Sequence, residues 1–142
     1  MEEINMKKLV ILGLVAVMLL PLLAIGCGNG STIEITLDDF TTQISMVKNV
    51  TLNAQDTLTV KLGSNPSTGF GWEDAVIGNG VIIQQTSRNF IAATSGLAGA
   101  PGTDVWVFTA KSAGTTTISI QYDRSWETLP PTYTLTINVT VK

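Results

Sequence analysis

The chain has 142 residues and a formal net charge of −3, enough for one domain and a processed leader. It has no histidine and one cysteine, which excludes Ser-His-Asp and Cys-His catalysis, a His/Cys zinc site and an internal disulfide. No basic run follows Lys8, which argues against nucleic acid as a partner, and no cofactor or metal is expected.

Lys7-Lys8 precedes an apolar run, Leu9 to Leu20, and Pro21 breaks it. A basic start, a short apolar centre and small residues near Gly26 describe a secretory signal over residues 1–26. The run is short for a spanning helix, which needs about 20 residues. Glu2 and Glu3 are unusual in such a leader, so Met6 is an alternative start to Met1. The segment Leu23-Ala24-Ile25-Gly26-Cys27 resembles a prokaryotic lipobox, with Ala24 and Ile25 departing from the usual pattern. The resemblance implies that Cys27 carries lipid and becomes the mature N-terminus. It also implies export and attachment to a membrane, outside the cytoplasmic membrane or in the cell envelope. Residues 27–31 are then the lipidated cysteine and a short flexible tether, Gly28-Asn29-Gly30-Ser31.

Residues 32–142 read as strand after strand. Ile33–Leu37 alternates with period two, and Ile44–Lys48 and Val50–Leu52 follow less cleanly. Thr57–Leu62 is a strand, then Gly71–Glu73, then Val81–Gln85. A small-residue segment, Ala92–Gly102, cannot form a strand interior. Asp104–Ala110, Thr115–Tyr122 and Tyr133–Val141 complete the series, the last with apolar residues on odd numbers throughout. No amphipathic helix is legible. About seven or eight antiparallel strands over roughly 110 residues predict an all-β sandwich, expected as a monomer. The expected core is Leu58, Val60, Leu62, Trp72, Ile83, Val105, Val107, Ile118, Ile120, Leu135, Ile137 and Val139, with Trp106 also read as core.

Between strands lie three loops. In Asn65-Pro66-Ser67-Thr68-Gly69-Phe70, Pro66 fixes its own φ and biases Asn65 toward extended geometry, while Gly69 is free to take a positive φ. That loop is shaped in advance. The glycine-rich loop Gly96–Thr103 and the loop Asp123–Pro131 share its end of the sandwich if an even number of strands separates them.

These three loops carry a resemblance to the chagasin-type inhibitors of papain-like cysteine proteases. Asn65–Phe70 resembles their Asn-Pro-Thr-Thr-Gly-Tyr/Phe signature. Gly99-Ala100-Pro101-Gly102, leading into a strand with Trp106, resembles their Gly-x-Gly-Gly loop. Arg124-Ser125-Trp126 resembles Arg-Pro-Trp/Phe. The resemblance spans about Asp56 to Lys142. It implies an immunoglobulin-like fold and a protein that inhibits without being an enzyme. It implies that the first loop enters the protease cleft while the other two flank it. Three departures stand out. Ser67 keeps the hydroxyl of the threonine it replaces. Pro101 stands in place of glycine and removes a backbone donor. Ser125 stands in place of proline and loosens the third loop. The expected aromatic contact is Trp126, and Phe70 buttresses the first loop from below. Arg124 pairs either with the enzyme or with Asp123 or Glu127 in its own loop. Alternative readings are an Ig-like adhesion or carbohydrate-binding module, an enzyme using Glu73, Asp74 or the Asp123/Glu127 pair, and a structural subunit of an envelope complex.

Overall fold

Two four-stranded β-ladders, one with a further short strand, face each other across an apolar core in the computed structural model, which describes residues 28–142. The expected leader, its two candidate starts and Cys27 lie outside the described residues. In chain order the strands are β1 (Gly30–Ile35), β2 (Ser45–Leu52), β3 (Thr57–Ser64), β4 (Gly71–Trp72), β5 (Val76–Ile77), β6 (Ile83–Ile91), β7 (Gly102–Ala110), β8 (Gly114–Asp123) and β9 (Tyr133–Val141). One sheet runs β1-β3-β7-β6. The other runs β2-β9-β8-β4, with β5 also on β8.

The expected sandwich is present, with two features the alternation did not show. Val76–Ile77 is a short strand in what read as a connection. Two edge pairings, β1 with β3 and β2 with β9, are parallel. Parallel neighbours need a crossover, and for β1 and β3 that crossover is β2, which crosses to the opposite sheet and back.

The buried face of β3 is Leu58, Val60, Leu62 and Ser64, a clean period of two. Ile118 and Ile120 of β8 and Leu135, Ile137 and Val139 of β9 face it from the other sheet as expected. β7 keeps Trp106 in the core as expected and corrects the placement of Val105 and Val107. Its core face is Trp106, Phe108 and Ala110, while Val105 and Val107 are half-buried on the outer face. Val105-Trp106-Val107-Phe108 is apolar at every position, so alternation cannot phase it. The larger aromatic rings take the interior of this central strand, where they remove more apolar surface from water. Trp72 and Ile83, as expected, and Ile35, Phe40, Met46, Leu52, Ile82, Tyr122 and Val141 complete the core.

Strand β6 is longer than Val81–Gln85. It runs to Ile91, and a bulge between Gln85 and Ser87 breaks its register. Beyond the bulge Arg88 ties the two sheets together. Its guanidinium bonds the Trp72 carbonyl, pairs with Asp74 at 2.8 Å and Asp104 at 3.6 Å, and lies 4.8 Å from the Trp106 ring centroid.

Gly28–Ser31 are not a free tether. Gly30 and Ser31 are the first rungs of β1, opposite Thr57 and Leu58. Ahead of them, the Asn29 N–H donates to Asp56 Oδ1 at 2.8 Å, and its carbonyl accepts from the Thr57 N–H at 3.0 Å. Asp56 Oδ2 accepts from the Asn53 N–H at 2.8 Å and from Asn53 Nδ2 at 3.1 Å. These donors, the Asn53 N–H foremost, hold the Asp56 carboxyl below its ordinary range against the opposing push of burial. A depressed carboxylate pKa adds stability above the unfolded value that is lost as pH falls through the folded one. Asp56→Asn is therefore expected to lower the melting temperature at pH 7, with the deficit shrinking as pH drops below the carboxylate range. Parallel melts of both proteins from pH 7 to pH 3 check this; a constant deficit would assign the effect to shape rather than charge.

Candidate functional site

The chain crosses the sandwich twice between the first loop and the second, and twice again before the third. All three loops therefore stand at one end. The register agrees: Ser64, which leads into the first loop, pairs with Gly102, which leaves the second, while Thr57 and Thr109 pair at the opposite end.

The first loop is a closed turn. Pro66–Thr68 form one turn of 3-10 helix, with Pro66 at its start as its fixed φ favours. The Thr68 N–H donates to the Asn65 carbonyl at 3.1 Å and the Gly69 N–H to the Pro66 carbonyl at 3.0 Å. Gly69 ends the turn at φ +80°, ψ −2°, the left-handed region that glycine enters without penalty. Side chains reinforce the backbone. Ser67 Oγ donates to Asn65 Oδ1 at 2.6 Å, and Thr68 Oγ1 donates to the Asn65 carbonyl at 2.7 Å. The hydroxyl that Ser67 shares with threonine is thus spent inside the loop. Pro66, Ser67 and Thr68 are exposed at the tip.

Beneath the tip lies an aromatic column that the sequence reading did not assemble. Phe70 stacks on Tyr122 at 5.8 Å, Tyr122 on Tyr133 at 5.8 Å, and Phe40 packs between Tyr133 and Trp72. The Tyr122 hydroxyl accepts from the Asn65 N–H at 3.3 Å, and Trp72 Nε1 donates to the Gly63 carbonyl at 2.9 Å. Phe70 does buttress the loop from below, as expected. Tyr122 pins its entry, and the signal for it was present: an aromatic ring closing the alternating run Ile118–Tyr122.

The third loop leans on the first. Arg124 lies over the Phe70 ring, 4.2 Å from its centroid, and Nη2 donates to the Thr68 carbonyl at 3.4 Å. Nη1 pairs with Glu127 at 3.0 Å, so of the partners considered for Arg124 within the loop the structure selects Glu127 rather than Asp123. Trp126 is 69% exposed, outside the core. The edge of its indole passes beside Gly69 so closely that a Cβ there would stand 2.8 Å from Trp126 Cη2. Ser125 is exposed between them.

The second loop meets the first from the other side. Gly99, at φ +80°, stands with its missing Cβ position 3.6 Å from Ser67 Oγ. Ala100 closes a turn on the Leu97 carbonyl at 3.2 Å, and exposed Pro101 follows. Gly102 differs from the other three residues of its motif. It opens β7 with Phe90 lying across it, and a Cβ there would stand 2.4 Å from the Phe90 ring. Its lack of a side chain serves packing within the protein.

Of the carboxylates considered for acid–base work, Asp74 and Glu127 are occupied in ion pairs, with Arg88 and Arg124 respectively. Burial first, and the neighbouring Asp123 second, push the Glu73 carboxyl above its ordinary range. Among the described residues no three acidic, histidine or cysteine side chains gather as a metal site would require.

Comparison with known proteins places this arrangement. The profile of the Chagasin family peptidase inhibitor I42 matches residues 51–141. Among curated proteins no sequence matches significantly. Among solved structures, the cysteine protease inhibitor EhICP2 from Entamoeba histolytica superposes with a TM-score of 0.61 at 25% identity, covering 78% of this chain and 96% of that one. PbICP-C, solved in complex with falcipain-2, gives 0.57 at 18% identity over 81% and 100% of the two chains. Amebosin gives 0.52 at 19% identity over 78% and 99%. The last two likenesses speak for the fold alone.

Proposed function

The chain belongs to the chagasin family of peptidase inhibitors, and from that premise we propose that it blocks papain-like cysteine proteases reversibly and without covalent chemistry, by seating its three loops across the active-site cleft. The observation that carries this is the closed, pre-bonded turn Asn65–Gly69 between two flanking loops at one pole of a rigid sandwich. A papain-like enzyme attacks with a cysteine thiolate paired to histidine in a groove. Small exposed residues let the loop enter that groove closely, with Thr68 and Gly69 nearest the thiolate. Cleavage needs a peptide carbonyl held in line for attack. The 3-10 turn curls its carbonyls inward onto the Thr68 and Gly69 N–H groups, so the tip occupies the groove without offering an extended scissile bond. Because its shape exists before binding, little ordering entropy is lost on contact. One chain supplies all three loops, so a monomer suffices.

On this reading Gly99–Pro101 lies on one side of the catalytic groove, and Arg124, Ser125 and Trp126 on the other. Arg124 is a positioning residue, engaged with Thr68, Phe70 and Glu127, and Trp126 is the exposed apolar contact. Nothing in the geometry favours an adhesion or carbohydrate-binding role. We propose further that the protein is exported and held on a membrane by lipid on Cys27. The lipobox-like segment Leu23–Cys27 supports this.

Titration of papain with the folded protein is expected to abolish hydrolysis of a small peptide substrate at a 1:1 ratio. Activity should return when the complex is diluted and the inhibitor recovered uncleaved. Full activity of papain and related enzymes at micromolar inhibitor would sink the proposal.

A further inference from the structure

The pole opposite the loops carries Gly28 and Asn29, the first described residues, and fixes them in place. The base consists of the turn Asn53–Asp56, the segment Gly78–Ile82, the turn Lys111–Ala113 and the C-terminal Lys142. Gly28 lies against Gln55 with no room for a side chain: a Cβ on it would stand 2.1 Å from the Gln55 carbonyl oxygen. Asn29 is fixed by Asp56 and Thr57. The covalent path from Cys27 to the body of the domain is therefore a single residue that is itself packed.

Charge divides between the same two poles. Glu34, Asp38, Asp39, Glu73, Asp74, Asp104, Asp123 and Glu127 all stand in the loop half, and the cations there, Lys48, Lys61, Arg88 and Arg124, leave it net acidic. The base has exposed Lys111 and Lys142 against Asp56 and the terminal carboxylate of Lys142, and is near neutral. A leaflet bearing anionic lipid repels the acidic pole and does not repel the near-neutral base. Exposed Val81 adds an apolar contact beside the lysines.

We propose that the base is a membrane-apposed surface, whose partner is the phospholipid headgroup layer, and that it stands the inhibitor upright with its loops facing away from the bilayer. This rests on lipidation of Cys27. The acyl chains supply the attachment, and the short packed exit and the charge division supply the orientation. The eight residues of β3 span the distance from base to loops, about 26 Å at ~3.3 Å per residue. The loops are then presented to proteases approaching from outside, at a height where the bilayer does not obstruct a docked enzyme.

The test uses the full chain, produced in a host that lipidates bacterial precursors and reconstituted in vesicles containing phosphatidylglycerol. The mass of the N-terminal peptide shows first whether Cys27 is acylated. Single fluorophores are placed at Ser112→Cys in the base and Leu129→Cys in the third loop. Nitroxide-headgroup lipid is expected to quench the base probe several-fold more than the loop probe. Inserting about twelve Gly/Ser residues between Cys27 and Gly28 should bring the two values together. Unmodified Cys27 would overturn the lipid reading and this one with it. Acylated Cys27 with equal quenching of the two probes before any insertion would overturn the orientation alone.

Discussion

Replacing Trp126 with alanine is expected to weaken inhibition of a papain-like protease by about 30-fold or more and to leave the melting temperature unchanged. The two halves of that expectation have separate causes. The indole is 69% exposed in the free protein, so its removal forfeits little folding energy; surface changes of this kind stay within about 0.5 kcal/mol. Against an enzyme the same ring has most of its surface still to bury. Truncation of an aromatic anchor of this type typically costs about 2 kcal/mol or more, which is about 30-fold in affinity. The loss should fall on the dissociation rate, because changes within one interface act mainly there. Stopped-flow association and displacement experiments with papain separate the two rates. An unchanged affinity would show that the third loop does not touch the enzyme, and a lowered melting temperature would show that the ring packs in solution where the structure leaves it exposed.

The sequence points to Trp126 because it is a large aromatic in a loop between strands, and the structure shows it exposed. Much of the remaining fold was legible on the same terms. Tyr133–Val141 alternates without a flaw, and its odd-numbered residues Leu135, Ile137, Val139 and Val141 are buried. Where alternation fails, so did the reading. Val105–Phe108 is apolar on both faces, and the choice between them was made by ring size and by what lies across the core. Arg88–Ile91 did not read as strand because a bulge resets the period and because Arg88, a charge on the half-buried side, is tolerated only through Trp72, Asp74 and Asp104. Those partners come from β4, the segment after it and β7, and no local window contains them. Gly28-Asn29-Gly30-Ser31 has the composition of a linker, yet Asp56, 27 residues beyond Asn29, fixes it in place. For the site, the tip of the first loop was legible because Pro66 and Gly69 constrain the backbone by themselves. Its support was not, since Tyr122 reaches Asn65 across 57 residues of sequence.

Gly69 joins the loop's shape to the tryptophan beside it, and Gly69→Ala is expected to cost more in inhibition than in stability. At φ +80° an L-residue carries roughly 1–2 kcal/mol of strain. Loss of freedom in the unfolded chain offsets about 0.4–1 kcal/mol of that, so the net destabilisation is about 1 kcal/mol. The new methyl would also meet Trp126 Cη2 at 2.8 Å. The exposed indole yields more easily than the turn, so it swings from its place. Affinity should then fall by at least about tenfold, or ~1.4 kcal/mol. Gly96→Ala calibrates the backbone cost, since Gly96 has φ +63° with nothing within 4 Å of its Cβ position. It should show the same backbone cost in chemical denaturation. A methyl at position 69 could instead collide with the enzyme, and a double-mutant cycle with Trp126→Ala decides between the routes. If the methyl acts by displacing the indole, its effect on affinity shrinks once the indole is gone. If the full tenfold loss persists without Trp126, the methyl acts on the enzyme directly, and Gly69 is itself the residue nearest the catalytic groove.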